Sequence, residues 1–194
     1  MISEKFIDFV KDVLPTVDKE KAEELKDWIK DTEKFEYESY YSYEQNDLIQ
    51  GDIIDGIKFV LMNKEGKIYI TDKMKAMVMS TSCDIANDDN ITLCPLFENS
   101  DLKPGTIEAV KNNLIYDTFY INSKKVEDYH VRFSVCNTVN KDYLFSALEQ
   151  GKIKKIFTMS MMTYYLFIVK LTIHYMRMED SEVKGLRKDK NSSN

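Results

Sequence analysis

The chain has 194 residues, of which 43% are hydrophobic, and this is enough for one domain with a hydrophobic core. A net charge of −6 argues against a constitutive electrostatic grip on nucleic acid, although it leaves room for a local basic patch. The three cysteines, Cys83, Cys94 and Cys136, form no Cys-x-x-Cys pair, so we expect free thiols in a reducing compartment.

The first 44 residues predict a helical hairpin and a tyrosine-rich connector. Ser3 is a candidate N-cap for a helix that Pro15 ends, and a second helix begins near Asp18. No charged-then-apolar signal pattern opens the chain, so we expect a cytoplasmic protein. The acidic and aromatic stretch 35–44 is interpreted either as a connection lying on apolar surface or as a docking segment.

The middle of the chain predicts a series of short strands with turns between them. A polar bend, Ser80–Asp84, separates two apolar runs, and Lys103-Pro104-Gly105 marks a turn before a short helix at 106–112. The strands are expected at 51–62, 67–71, 75–81, 91–97, 114–122 and 129–138.

Two helices, at about Lys141–Gln150 and Met159–Met178, are expected to close the domain. The stretch 156–173 is nearly free of charge apart from Lys170, but its apolar residues form a stripe at helical spacing. This pattern favours a buried core helix over a membrane span. The Lys-, Asp- and Ser-rich end of the chain predicts a flexible tail.

The order of elements around residues 50–98 resembles the MazF/PemK family of toxins. A first strand follows Gly51-Asp52-Ile53, an apolar strand ends at Ser80, and the next strand contains Pro95. The resemblance implies a small SH3-like barrel of the kind that cuts RNA in bacterial toxin–antitoxin pairs. The family usually shows an arginine before the strand that ends in Ser, and Thr or Ser after the proline. Here Met74 or Lys75, and Leu96, occupy those places, so the catalytic positions are not matched.

The predicted fold class is therefore α+β: a small SH3-like β-barrel with an N-terminal helical hairpin, and with C-terminal helices packed on it. The expected domain organisation has three parts. These are a helical hairpin with its Tyr-rich connector at 1–44, a MazF-like barrel domain with C-terminal helices at 45–180, and a flexible tail at 181–194.

The densest polar cluster is the Ser80–Asp84 bend. Cys83 is a candidate nucleophile with His130 as its base, or a metal ligand beside Asp84 and His130. The simpler interpretation is a tight turn whose Ser and Asp side chains bond their own backbone, with Cys83 packed as a small hydrophobe.

His130 and Arg132 share one face of a predicted strand. They form either an anion-binding row or the solvent-facing side of an antiparallel sheet. The chain has no phosphate-cradling glycine loop and no zinc signature, so neither a cofactor nor a metal is expected.

Two functions follow from the resemblance and the residues. The first is a MazF-like barrel module of a bacterial or phage conflict system, meaning toxin–antitoxin or phage defence, that binds an antitoxin-like or defence protein rather than catalysing. The alternative is an endoribonuclease that cleaves single-stranded RNA with a non-standard site. A Cys83-dependent hydrolase is a third hypothesis.

RNA and a second copy of the chain stand as further partners, whereas no membrane association is expected. The candidate catalytic residues are Lys75, Ser80, Cys83, Asp84, His130 and Arg132.

Overall fold

The computed structural model describes residues 40–41, 47–123 and 126–176. The predicted helical hairpin, most of the Tyr-rich connector and the C-terminal tail lie outside these residues. Among them the structure has ten strands, four α-helices and one 3-10 helix. The strands are β1 (Tyr40–Tyr41), β2 (Ile53–Ile57), β3 (Val60–Met62), β4 (Ile68–Ile70), β5 (Met74–Val78), β6 (Asn90–Glu98), β7 (Thr118–Ser123), β8 (Val126–Arg132), β9 (Asn137–Asn140) and β10 (Lys154–Met159). The helices are α1 (Ser82–Asn87), the 3-10 helix (Asn99–Asp101), α2 (Pro104–Lys111), α3 (Lys141–Glu149) and α4 (Met161–Met176).

Eight of these strands form one antiparallel sheet. Seven follow the order β1-β10-β2-β5-β6-β8-β7, and β9 pairs with β6 off this path. The nine-residue β6 is the central strand because its first half pairs with β9 and its second half with β8. β3 and β4 form a separate two-stranded ribbon. The α+β class is confirmed, and within the described residues the sheet is open between its end strands β1 and β7.

Both faces of the sheet carry a hydrophobic core. Met77 belongs to one cluster, whereas its neighbours Ala76 and Val78 belong to the other, as expected when successive side chains of a strand alternate. α4 covers the first face with Leu166 and Phe167, and α3 packs on the second. The sheet is therefore a middle layer that is apolar on both sides.

The C-terminal region differs from the prediction of two consecutive helices. Both helices exist, but β10 lies between them and pairs with β2, and α4 begins at Met161. The helix that we predicted from Met159 overlaps the end of β10, and Phe157 and Met159 of that strand belong to the same core cluster as Leu166 and Phe167 of α4. The open edge of β2 needs a hydrogen-bonding partner, and this tertiary requirement outweighs the local helical pattern.

The predicted strand 51–62 is likewise two strands. Gly56, with φ +103°, introduces an irregularity in the β2–β5 register, and the chain leaves the sheet before β3. The sequence signal that points to this break is the isolated glycine inside a strand pattern.

Candidate functional site

The six candidate catalytic residues lie in three separate places. The first place is the segment before β6, where Ser80 precedes α1 and where Cys83 and Asp84 lie within it. His130 lies opposite Phe97 near the end of β6, and Arg132 is on the same strand, β8. At about 3.3 Å per residue, the two ends of the nine-residue β6 are about 26 Å apart. Cys83 and His130 are therefore not brought together as nucleophile and base.

The Ser80–Asp84 bend is a helix start. Oγ1 of Thr81 accepts a hydrogen bond from the backbone N of Asp84 at 3.2 Å, and Oδ2 of Asp84 accepts one from the backbone N of Thr81 at 3.3 Å. This is a capping box for α1. Ser80 Oγ accepts from the backbone N of Thr92 at 2.9 Å. The predicted local bond to the backbone is thus confirmed for Asp84, whereas Ser80 bonds the neighbouring strand, and the expected burial of Cys83 is wrong, because its side chain is exposed.

The structure places two of the three cysteines in contact. Sγ of Cys94 on β6 lies against Sγ of Cys136, just before β9, with the Cα atoms 4.5 Å apart. The strand order brings them together, because β8 and β9 both pair with β6 and the turn between them crosses next to Cys94. Spacing along the sequence gives no sign of this contact.

Lys75 lies on the face of the sheet opposite His130. Its Nζ is 4.8 Å from the centroid of the Tyr129 ring, and Tyr129 and His130 are successive residues of β8. Side chains of successive strand residues point to opposite faces. Lys75 therefore cannot supply charge to a reaction at His130.

His130 and Arg132 do meet, in a cavity of about 330 Å³ that we call the α2 cavity. It lies between α2 with the 3-10 helix on one side and β6, β7 and β8 on the other. Its polar lining residues are Glu98, Asp101, Thr106, Asp117, Thr118, His130 and Arg132, and its apolar ones are Phe97, Leu102, Val110 and Ile115.

The prediction that His130 lies on the solvent-facing side of the sheet is wrong. Only 3% of its surface is exposed, because α2 and the 3-10 helix cover this face. Nδ1 lies 2.7 Å from Oδ1 of Asn99, and with the Asn99 amide in this orientation the tautomer protonated at Nδ1 makes the hydrogen bond. Burial, aided by the charge of Arg132, lowers the pKa of His130, so the ring is neutral at pH 7.

Arg132 is exposed, and its charge is partly matched inside the cavity. Nη2 lies 3.8 Å from Oδ2 of Asp117, whose Oδ1 accepts a hydrogen bond from Thr118 Oγ1 at 3.0 Å. The lining holds three carboxylates and one guanidinium, a formal charge of −2 with His130 neutral. Such a lining repels phosphate, so the geometry does not favour the anion-binding interpretation of His130 and Arg132.

Two buried ionic groups escaped sequence reasoning. Oδ2 of Asp52 lies 2.8 Å from Nζ of Lys155, and both side chains are almost completely buried. Burial raises the pKa of Asp52, and Lys155 opposes that shift. The glycine before Asp52 drew attention to this carboxylate, but nothing in the sequence identified Lys155, because the strand that carries it was not predicted.

The second group is Lys170 on α4, which is only 2% exposed. Its Nζ donates to the backbone oxygens of Asn113 and Ile115 at 3.1 and 2.9 Å, and to Oδ1 of Asn113 at 3.2 Å. Burial lowers the pKa of Lys170 to about 7. The bonds hold the loop between α2 and β7, so Lys170 positions the loop that supplies Ile115 and Asp117 to the cavity.

No protein-family model matches this chain, and no curated protein is significantly similar to it. Within the described residues, no three His, Cys, Asp or Glu side chains are grouped so that they hold a metal ion. None of the described helices combines the length and apolar character needed to cross a membrane.

Proposed function

We propose that this chain is a protein-binding module on an SH3-like barrel, acting in a bacterial or phage conflict system. The arrangement of β2, β5 and β6 supports the barrel part of this proposal. These strands contain or adjoin the Gly51-Asp52-Ile53, Ser80 and Pro95 elements of the MazF/PemK resemblance, and they are consecutive neighbours in the sheet. Along its length β6 also changes partner from β9 to β8, as strands at the corners of barrel-like sheets do.

One observation carries the binding function. Val60, Met62, Ile68 and Ile70 of the β3–β4 ribbon are 55, 65, 60 and 67% exposed. Val60 pairs with Ile70 and Met62 with Ile68, so all four side chains lie on one face, and we call this set the ribbon patch. Four contiguous exposed aliphatic side chains are typical of an interaction surface.

The charges around the ribbon patch indicate the chemistry of its occupant. Residues 58–73 contain four lysines and two acidic residues, a local charge of +2 in a chain whose net charge is −6. The occupant we propose is an acidic segment of a partner protein that presents apolar side chains to the patch. The two-stranded ribbon also has outer edges, and an extended peptide segment of the partner can pair with one of them as an additional strand.

The test is co-expression with the product of each adjacent gene, followed by calorimetry on the purified pair. Ile68→Ser with Ile70→Ser is expected to weaken binding at least about tenfold, as expected for loss of central apolar contacts. Tyr69→Ser changes the opposite face of the same strand and serves as the matched control. Equal affinity of the double variant, or sedimentation showing that a second copy covers the patch, overturns the proposal.

The alternative function, an endoribonuclease, is supported by the meeting of His130 and Arg132 in one cavity. It is weakened by Lys75 on the opposite face, by the distant Ser80–Asp84 bend and by the carboxylates of the lining. Incubation of purified protein with single-stranded RNA distinguishes the two functions. We expect intact RNA. Cleavage that is lost in His130→Ala at unchanged thermal stability would replace the binding module with the nuclease, and cleavage lost in Cys83→Ser would favour the thiol hydrolase.

A further inference from the structure

The α2 cavity has an arrangement of hydrogen-bonding groups that the binding function does not use. Because Nδ1 of His130 donates to Asn99, the lone pair of Nε2 is available as an acceptor. The ring is almost completely buried and lines the cavity, and Nε2 has no hydrogen-bond partner in the described part of the chain. Nε2 is not among the fully buried atoms that lack a partner, so it is open to the cavity, where the donor group of a ligand can reach it.

The carboxylates of the lining differ in how far they are already engaged. Glu98 accepts hydrogen bonds from Tyr129 and Ser100, and Asp117 is held by Thr118 and Arg132. Asp101 makes no side-chain hydrogen bond or ion pair among the described residues. It nevertheless lies close enough to His130 for its charge to raise the pKa of the ring against the effect of burial. Asp101, which is exposed, and Nε2 of His130 are thus two acceptors with no partner within the described part of the chain.

The remaining walls of the cavity are apolar. Leu102, Val110 and Ile115 supply aliphatic surface, and the ring of Phe97 lies 5.9 Å from that of His130. Aliphatic surface packs against a hydrocarbon chain, and an aromatic face attracts a cation. A volume of about 330 Å³ is at the small end of the range for organic ligands.

We propose that the α2 cavity binds an organic cation, an alkylammonium or guanidinium group on an apolar stem, with Asp101 and Nε2 of His130 as its acceptors. The aliphatic walls and Phe97 hold the stem. The formal charge of the lining, −2, favours this ligand over an anion. The same chemistry is offered by a free amine and by the lysine or arginine side chain of a peptide.

The test is NMR spectroscopy of the full chain with ¹⁵N-labelled histidine. The chain has two histidines, so His174 provides an internal reference for His130. The probes are n-butylammonium for a free amine and N-acetyl-lysine-N-methylamide for a peptide side chain. Their matched neutral controls are 1-butanol and N-acetyl-norleucine-N-methylamide. We expect a saturable shift of Nε2 of His130 with at least one cation, none with the neutral controls, and none at His174.

A pair of variants assigns the acceptor. Asp101→Asn is expected to weaken binding of the cation at least about tenfold, the scale of losing a charged hydrogen-bond partner. Asp88→Asn removes an exposed carboxylate near the opposite end of β6, and we expect it to leave binding unchanged. Binding of butylammonium alone assigns the site to free amines, and binding of the lysine derivative alone assigns it to a peptide; both support the proposal. Equal shifts with 1-butanol, a shift with inorganic phosphate instead, or full affinity in Asp101→Asn overturn it.

Discussion

Nδ1 of His130 lies 2.7 Å from Oδ1 of Asn99, where the central strand β6 ends and the 3-10 helix begins. With the amide oxygen of Asn99 toward the ring, this contact favours the tautomer protonated at Nδ1 and leaves Nε2 as an acceptor. Asn99 is itself buried, and its Nδ2 has no partner among the described residues, so the side chain is committed to His130. The hydrogen bond between Asn99 and His130 therefore joins the covering 3-10 helix to the sheet. It also decides whether His130 offers a donor or an acceptor to the cavity.

This contact leads to a prediction about pH. Burial lowers the pKa of His130 from 6.5, so below pH 6.5 the unfolded chain binds more protons than the folded one. Stability therefore falls as the pH drops from 6.5 toward the folded-state pKa. Urea unfolding at a series of pH values measures the loss, which His130→Gln is expected to remove.

The matched variant for this prediction is Asn99→Asp. It places a carboxylate against Nδ1, which favours the protonated ring and raises the pKa of His130. The decrease in stability at acid pH should then shrink or reverse. A wild-type NMR titration that gives His130 a pKa at or above 6.5, or a protonated Nε2 in the neutral ring, would contradict the contact as described.

Lys170 gives a second pH dependence at the opposite end of the scale. Its folded-state pKa is about 7 and its unfolded value 10.5, so between these values the unfolded chain binds more protons. Stability contributed by this residue therefore rises as the pH increases from about 7. Compared with Lys170→Met, the wild type should gain stability between pH 7 and 9, by on the order of 1 kcal/mol per pH unit.

The measurement is denaturant unfolding of both proteins at each pH, and only their difference is used, because other lysines titrate equally in both. Lys73→Met, at an exposed position, is the control and should show no such trend. Parallel curves for the wild type and Lys170→Met would show that Lys170 titrates as an ordinary lysine. In Lys170→Met the three oxygens that Nζ now contacts lose their donor, so we also expect the loop between α2 and β7 to exchange its amide hydrogens faster.

These buried groups show where sequence reasoning stops. Local signals are informative: alternation and turn residues located most of the strands, and Thr81 with Asp84 formed the turn that their types predict. The burial of His130 was not predicted, because apolar and polar side chains alternate along β8. This pattern is typical of a strand with one face in solvent. Its cover, α2, comes from a segment that lies about twenty residues earlier and has no recognisable partner in the sequence.

The same limit applies to the site. His130 and Arg132 were expected to lie together because strand periodicity alone requires it. Asp101 and Asp117 were not expected there, because α2 and the loop that follows it had to be placed against the sheet first. Lys75 was grouped with them because it occupies the place of an arginine in the family resemblance, and Cys83 for its chemistry; the pairing of the strands separates both from His130.

The buried pair Asp52–Lys155 predicts non-additive mutations. Asp52→Asn removes the buried carboxylate beside Lys155, whose Nζ keeps its contact with the backbone oxygen of Asp47, and Lys155→Met leaves the buried Asp52 carboxylate without this cation. Each change is expected to lower the free energy of unfolding by about 3–5 kcal/mol. The double variant should cost clearly less than the sum, because neither charge remains. Thermal and urea unfolding of the four proteins measures this coupling, and additive losses would mean that the pair does not interact.

Glu65→Gln, in the exposed Lys64–Glu65 pair, is the control and should have no measurable effect.

Two glycines test the position of β10, the strand that the sequence did not predict. Gly56 and Gly66 both have positive φ, +103° and +79°, so an alanine is strained at either one. At Gly56 the added Cβ also lies 2.7 Å from the backbone oxygen of Lys152, just before β10, whereas at Gly66 nothing lies within 4 Å. We expect Gly66→Ala to cost about 1–2 kcal/mol from backbone strain. Gly56→Ala should cost clearly more in urea unfolding, because a backbone oxygen cannot move aside as a flexible side chain does. Equal losses in the two variants would mean that residue 152 does not approach β2, and the pairing of β10 with β2 would then be wrong.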